Sequence, residues 1–186
     1  MSIVHTYPGH PLLSLSPASL HALRGALAAD LGSAAAGYLQ EAGYVTGVEL
    51  LGAFRGWLHE REDATPEELP MADFSQLLGA FFEELGWGEL RVEAVGGAVS
   101  AVDARNLAEA QPEAALAQAG CFMTSGVLAG FLGTLAGEPL AVLEVECRSA
   151  GHERCRFLVG GAAAMDHVFD EMQHGVTYLE AASATV

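Results

Sequence analysis

Positive charge is scarce in this sequence. Only eight residues are lysine or arginine, against 24 aspartate and glutamate residues, and the formal net charge is −16. A surface of that sign repels the phosphates of nucleic acids and the headgroups of anionic lipids. We therefore expect neither a nucleic acid nor a membrane as a partner, and we interpret the acidity as a source of solubility.

Long apolar runs and cysteines are also in short supply. No stretch of about 18 apolar residues is free of charge and glycine, so we expect no membrane span. The beginning, "MSIVHTYPGHPLLSLSP", lacks the basic and apolar segments of a secretory signal. The three cysteines are an odd number, unlike the sets found in secreted disulfide frameworks. A reducing cytoplasm is the expected location.

The chain does contain enough apolar material for one domain. Its 186 residues are 51% hydrophobic, which allows a sizeable core. We expect an N-terminal arm over residues 1–15 and a single domain over residues 16–186. Residues 16–60 are expected to be helical, with small side chains that suit core packing or a dimer seam. Residues 70–178 are expected to carry the sheet, further helices and the cysteines.

The element order predicts the fold class. Helices are predicted after Ser16 and from Ser33, with glycine interruptions before a further helix from Gly47 to Glu60. An amphipathic helix and a hairpin around Gly96 follow, and then another helix, a second hairpin and a last helix. Consecutive hairpins indicate an antiparallel sheet. We therefore predict an α+β domain in which a sheet of two hairpins packs against several helices.

Three thiols are predicted to converge. Cys147 and Cys155 flank a short loop between two strands, and Cys121 lies on the apolar face of the preceding predicted helix. Thiolates are favourable ligands for Zn²⁺, which takes four ligands in a tetrahedron. Buried free cysteines and a redox pair remain alternatives, because the spacing between Cys147 and Cys155 is not that of a zinc knuckle.

A fourth ligand would have to come from residues near the second hairpin. Glu144, Glu146 and His152 are the candidates. The residue types and spacings alone do not choose among them.

The segment "CFMTSGVLAGFLGTLAGEPLAVLEVECRSAGHERCRFLVG" resembles the end of a V4R (4-vinyl reductase) domain. The shared features are a cysteine before a glycine-rich helix, an E-x-x-C motif, a short loop that contains glycine, and C-R-F. The resemblance is close over about forty residues and looser over most of the remaining chain.

This resemblance implies a fold, a metal site and a class of function. The family includes a protein implicated in bacteriochlorophyll vinyl reduction and the sensor domains of phenol- and xylene-responsive transcription activators, and its fold is shared by Golgi-tethering TRAPP subunits. In the aromatic sensors the motif binds a structural zinc through three cysteines and a glutamate. Carried over by position, the implied zinc ligands are Cys121, Glu144, Cys147 and Cys155.

The implied ligand set requires an irregular backbone between Glu144 and Cys147. Glu144 and Cys147 are three residues apart, so a regular strand would point them to opposite faces. We predict a bulge or the end of the strand between them. If the strand stays regular, His152 replaces Glu144 as the fourth ligand.

Aromatic residues mark a second candidate site. Most of the aromatic side chains are expected to belong to the core, but the alternative is a pocket for a small hydrophobic ligand, as in the related sensors. The predicted pocket residues are Phe74, Phe81, Trp87, Phe122 and Phe131.

The combined interpretation is a zinc-stabilised V4R domain that binds a small hydrophobic or aromatic molecule and acts as a sensor, as a homodimer. No catalytic residues are predicted. One alternative is an enzyme or accessory factor in tetrapyrrole vinyl reduction, and another is a protein–protein adaptor.

Overall fold

The secondary structure alternates helical segments with hairpins in the predicted order, and a short helix that was not predicted, Tyr178–Ser183, follows the last predicted helix. A computed structural model describes residues 12–185, so most of the predicted arm, residues 1–11, lies outside the described part. The helices are α1 (Pro17–Leu31), α2 (Ala35–Glu62), α3 (Met71–Glu84), α4 (Phe122–Ala136), α5 (Ala162–Gln173) and α6 (Tyr178–Ser183). The strands are β1 (Glu89–Gly96), β2 (Val99–Arg105), β3 (Ala141–Glu146) and β4 (Cys155–Gly160).

The four strands form one antiparallel sheet in the order β1-β2-β4-β3. Each hairpin keeps its own pairing, and the two hairpins join where β2 pairs with β4. The alternation of β4 divides the core, because Phe157 faces α2, α3 and α4, whereas Leu158 faces α5 and α6. The predicted α+β class, with a sheet of two hairpins packed against helices, is confirmed.

Helix α2 runs without a break through its glycines, although the sequence predicted interruptions there. The reason is close packing against α4. A Cβ on Gly43 would lie 2.1 Å from the carbonyl oxygen of Met123, and a Cβ on Gly47 would lie 2.1 Å from that of Val127. The glycines therefore permit backbone contact between the helices, which offsets their low helix propensity.

The N-terminal helices expose apolar side chains. The only buried residue of α1 is Leu20, whereas Leu23 is 50% exposed. On α2, Tyr38 and Val45 are 60% and 57% exposed. No helix in the described part of the chain has the length and apolar character needed to cross a membrane.

A charged cluster ties β4 to its neighbours on the α6 side of the sheet. The Arg156 side chain is 6% exposed, and its guanidinium donates to Asp103 at 2.6 and 3.0 Å and also to Glu93. Arg154 donates to Asp103 and to Glu146 at 2.7 and 2.9 Å. The pairing satisfies a charge that would otherwise be costly to bury.

Candidate metal centre and apolar groove

Cys121 occupies the N-cap position of α4, one residue before the helix begins. The sequence had placed it inside the helix, so the structure corrects that detail. The side chain is fully buried and directed toward the second hairpin. A cysteine is a poor helix cap, and its side chain makes no capping hydrogen bond here.

A distant carboxylate supplies the missing cap. Glu109, in the connection after β2, is fully buried and accepts from the backbone N–H groups of Met123 and Thr124 at 3.0 and 2.7 Å. It also accepts from the Thr124 hydroxyl at 2.7 Å. Arg24 of α1 donates to the Glu109 carbonyl at 2.9 Å. Glu109 therefore fixes the first turn of α4, and with it the position of Cys121.

Sequence reasoning missed Glu109, because a capping residue that lies twelve positions before the N-cap residue Cys121 leaves no local pattern. The only available signal was the absence of a Ser, Thr, Asp or Asn cap at residue 121, which implies that another acceptor must satisfy the first N–H groups.

Strand β3 contains the irregularity that the ligand set demands. Glu144 lies opposite Phe157 and Glu146 lies opposite Arg156, so two steps along β3 match one step along β4. This β-bulge turns the following residue to the other face of the strand. The predicted distortion between Glu144 and Cys147 is confirmed. Glu146 faces the opposite way and accepts from Arg154 at 2.9 Å.

The loop between β3 and β4 brings the other two cysteines together. It makes a 3-10 turn over Arg148–Ala150 and passes through Gly151, whose φ of 93° suits glycine. The backbone N–H of Arg148 donates to the Cys155 sulfur at 3.4 Å. His152 Nδ1 lies 3.1 Å from both the nitrogen and the oxygen of Cys147. The histidine thus braces the loop and is not part of the cluster.

The four candidate side chains form one compact group. The ligand atoms of Cys121, Glu144, Cys147 and Cys155 all lie within 4.8 Å of one another. The sulfur of Cys121 is 3.8 Å from that of Cys147 and 3.9 Å from that of Cys155. A disulfide requires about 2.05 Å, and all three thiols are free. Two sulfurs on a tetrahedral zinc with bonds of about 2.3 Å would lie about 3.8 Å apart.

The electrostatics of the cluster fit a cation. Glu144 Oε2 accepts from the backbone N–H of Cys121 at 2.8 Å, whereas Oε1 is buried and has no hydrogen-bond partner in the described residues. Burial, together with the negative charge of Cys147, raises the pKa of Glu144 to about 8. Hydrogen bonds from the Cys121 and Cys155 thiols hold the pKa of Cys147 well below its usual range. A divalent ion would satisfy the orphaned oxygen and stabilise the thiolates.

The arrangement is chemically closed. On a metal ion that takes four ligands, the three sulfurs and one carboxylate oxygen would supply the full set and leave no position for water or substrate. A buried Cys3Glu cluster of this kind can hold a metal ion, and the ion would join the start of α4 to both strands of the second hairpin.

An apolar groove of about 880 Å³ lies at the opposite ends of the same elements. The cluster takes Cys155 from the first residue of β4, whereas the groove is lined by Val159 and Gly160 at its end. Along α4, Cys121 and Leu135 are separated by about 21 Å at 1.5 Å per residue. The remaining wall comes from the segment before α3, the start of α3, the middle of β1, the turn before β2 with the start of β2, the connection after α4 and the start of α5.

The structure places one of the five predicted pocket residues, Phe74, in the groove wall. Phe81 and Phe131 are buried in an aromatic cluster, where each ring lies within 5.6 Å of Phe54. Trp87 is partly buried beside that cluster, and Phe122 is partly buried on the first turn of α4. Ligand contact by these residues stays a prediction.

Residues 105–161 match the family model described as the V4R domain. The matched segment contains all four residues of the metal cluster and confirms the predicted resemblance over that part of the chain. A comparison with curated proteins found no match.

Solved structures extend the likeness to most of the chain. The phenol-responsive sensory domain of the transcription activator PoxR, solved with phenol, is 22% identical with a TM-score of 0.64, covering 89% of this chain and 83% of that one. A trafficking protein particle complex subunit 3 from Naegleria fowleri, covalently bound to palmitic acid, is 13% identical with a TM-score of 0.60, covering 77% and 91%. A vinyl-4-reductase family protein from Methanocaldococcus jannaschii is 21% identical with a TM-score of 0.48, covering 65% and 66%. The first two confirm the predicted fold type.

Proposed function

We propose that this chain is a small-molecule-binding domain of the sensor type whose fold is stabilised by a structural zinc ion. The observation that carries the proposal is the apolar groove of about 880 Å³, which lies within the range of about 300–1,000 Å³ typical of ligand sites. The likeness to a phenol-responsive sensory domain supports a sensing role.

Zinc is the metal that the donor set favours. Three thiolates with one carboxylate in a tetrahedral arrangement are soft-to-borderline ligands, which suit Zn²⁺ better than Mg²⁺ or Ca²⁺. In this proposal Cys121, Glu144, Cys147 and Cys155 are the ligands. The ion would hold α4 on the sheet and so maintain the α4 wall of the groove. Its loss should reduce stability before it changes any ligand contact.

Metal analysis of the purified full chain tests the zinc. We expect about one zinc per chain in the wild type and about none in Cys147→Ser, whose thermal unfolding temperature should also fall. His152→Ala is the matched control, because His152 is on the same loop but outside the cluster, and it should retain the metal. A wild-type ratio near zero would refute the zinc proposal, and full retention of zinc in Cys147→Ser would refute the ligand set.

The binding function has its own test. Native mass spectrometry of the full chain should detect a retained small molecule or the uptake of an added hydrophobic probe. If the purified chain carries no bound molecule and takes up no probe at any usable concentration, the proposed binding function is refuted.

We also infer that a second copy of the chain is a partner. The exposed apolar side chains of α1 and α2, including Leu23, Tyr38 and Val45, support a homodimer, since burying them removes apolar surface from water. The small exposed residues of the same helices, such as Ala42 and Gly37, would allow the helices of two copies to approach closely.

A further inference from the structure

The groove wall is aliphatic more than aromatic. Its apolar side chains include Leu69, Leu132, Leu135 and Val159, and Phe74 is the only aromatic ring among the wall residues that the structure describes. Flat ring faces, which would stack on an aromatic ligand, are therefore nearly absent from the described lining. An aliphatic wall does not select for a planar ligand and can pack against a flexible hydrocarbon chain.

The volume also exceeds what a single ring would fill. About 880 Å³ is near the upper end of the range for drug-sized ligands. A molecule as small as phenol would leave most of the wall in contact with water and bury little apolar area. A longer molecule gains more binding free energy, because the hydrophobic stabilisation grows with the apolar area that is removed from water.

The polar side chains of the lining disfavour an anion. Only Glu67, Ser100 and Glu138 contribute polar side chains to the described wall, and no basic side chain lines it. Glu67 pairs with Arg55, which holds the pKa of Glu67 below its usual value, so this carboxylate stays ionised. Glu138 is exposed at the rim. Because Arg55 neutralises Glu67, the Glu138 carboxylate is the charge that repels a carboxylate headgroup. The Ser100 hydroxyl can bond to an uncharged oxygen.

The ligand must also be held reversibly. The chain has three cysteines, and all of them lie in the metal cluster at the far ends of α4 and β4. No thiol therefore lines the groove to form a thioester with an acyl chain.

From these observations we infer that the groove binds an uncharged long-chain aliphatic molecule, such as an alcohol or an ester, and not a phenol or a fatty acid. This inference rests on the proposed binding function and names the ligand class of the same groove.

Calorimetric titration of the full chain with three probes tests the inference. 1-Decanol, decanoate and phenol differ in headgroup charge and in apolar length. We expect 1-decanol to bind at least tenfold more tightly than decanoate and at least tenfold more tightly than phenol. Leu135→Asp, which places a charge in the wall, should weaken 1-decanol binding by at least tenfold.

Two further variants make the result specific. Thr134→Asp introduces the same charge at the neighbouring, exposed position of α4 outside the groove, and should leave 1-decanol binding unchanged. Glu138→Lys alters an exposed residue and should not disturb the fold. It should tighten decanoate binding by about three- to tenfold, as expected for a change of charge at a solvated rim.

The outcomes distinguish failure of the ligand class from failure of the proposed binding function. Phenol or decanoate binding more tightly than 1-decanol, with the binding still weakened by Leu135→Asp, would overturn the ligand class and leave the binding function intact. If none of the three probes binds, both the ligand class and the proposed function are overturned. Equal effects of Leu135→Asp and Thr134→Asp would overturn the assignment of the groove.

Discussion

The contact between α2 and α4 gives a sharp test of the fold that supports the metal cluster. An alanine at Gly47 would place its Cβ 2.1 Å from the carbonyl oxygen of Val127 and 2.8 Å from the backbone nitrogen of Phe131. Both obstacles are backbone atoms, so no side chain can rotate away. The two helices would have to separate by roughly an ångström in a close-packed interior.

Two opposing effects set the magnitude of the Gly47→Ala change. Alanine favours a helix over glycine by about 1 kcal/mol. Overpacking of a rigid site costs about 1–3 kcal/mol, and contact with backbone on two sides places this site at the upper end. The expected net result is a loss of about 2 kcal/mol in the free energy of unfolding. For a chain of this size that corresponds to a fall of about 4–8 °C in unfolding temperature.

Gly56→Ala on the same helix is the matched control. Nothing lies within 4 Å of a Cβ built on Gly56, so only the helix propensity changes. We expect an increase of up to about 1 kcal/mol, or about 2–4 °C. Thermal unfolding followed by far-UV circular dichroism measures both variants. A Gly47→Ala chain that unfolds at or above the wild-type temperature would refute the packing argument.

Two further changes test the cap and the dimer. Burial raises the pKa of Glu109 against the hydrogen bonds of Thr124 and Met123, so the folded pKa lies above the unfolded one. The contribution of Glu109 to the stability of the fold is fully present below its unfolded pKa and is lost as the pH rises through its folded pKa. Urea unfolding should therefore show that the free energy of unfolding of the wild type, relative to that of Glu109→Gln, declines as the pH rises from about 4.5. A difference between the two proteins that does not change with pH would contradict this. Val45→Arg should convert the proposed dimer into monomer in size-exclusion chromatography with light scattering, whereas Asp170→Arg on α5 should not. The dimer inference fails if the wild type is monomeric at all concentrations.

Local patterns were sufficient for much of the architecture. The glycine pair that contains Gly96 marked the first hairpin, and the periodic apolar residues of α3 marked an amphipathic helix; the structure confirms both. These features are encoded by neighbouring residues, so they can be recognised in the sequence. The bulge after Glu144 could also be anticipated, because the family motif was compatible with only an irregular strand.

Other features depend on residues that are distant in sequence. The sequence predicted interruptions in α2, yet Gly43 and Gly47 keep the helix intact because the backbone of α4 packs against them. The predicted pocket followed the distribution of aromatic residues. Of these, Phe81 and Phe131 lie in the core, and ligand contact by them stays a prediction. The groove is lined mainly by aliphatic residues that several separate elements contribute.

The sequence by itself determined the order of the elements and the candidate ligands Cys121, Glu144, Cys147 and Cys155, since these depend on local spacing and on a recognisable motif. Only the tertiary structure decided how those residues meet. The cluster requires the cap from Glu109 and the bulge in β3, and both arise when segments far apart in the chain pack together. The same physical reason applies to the groove, whose wall exists only after the helices are placed on the sheet.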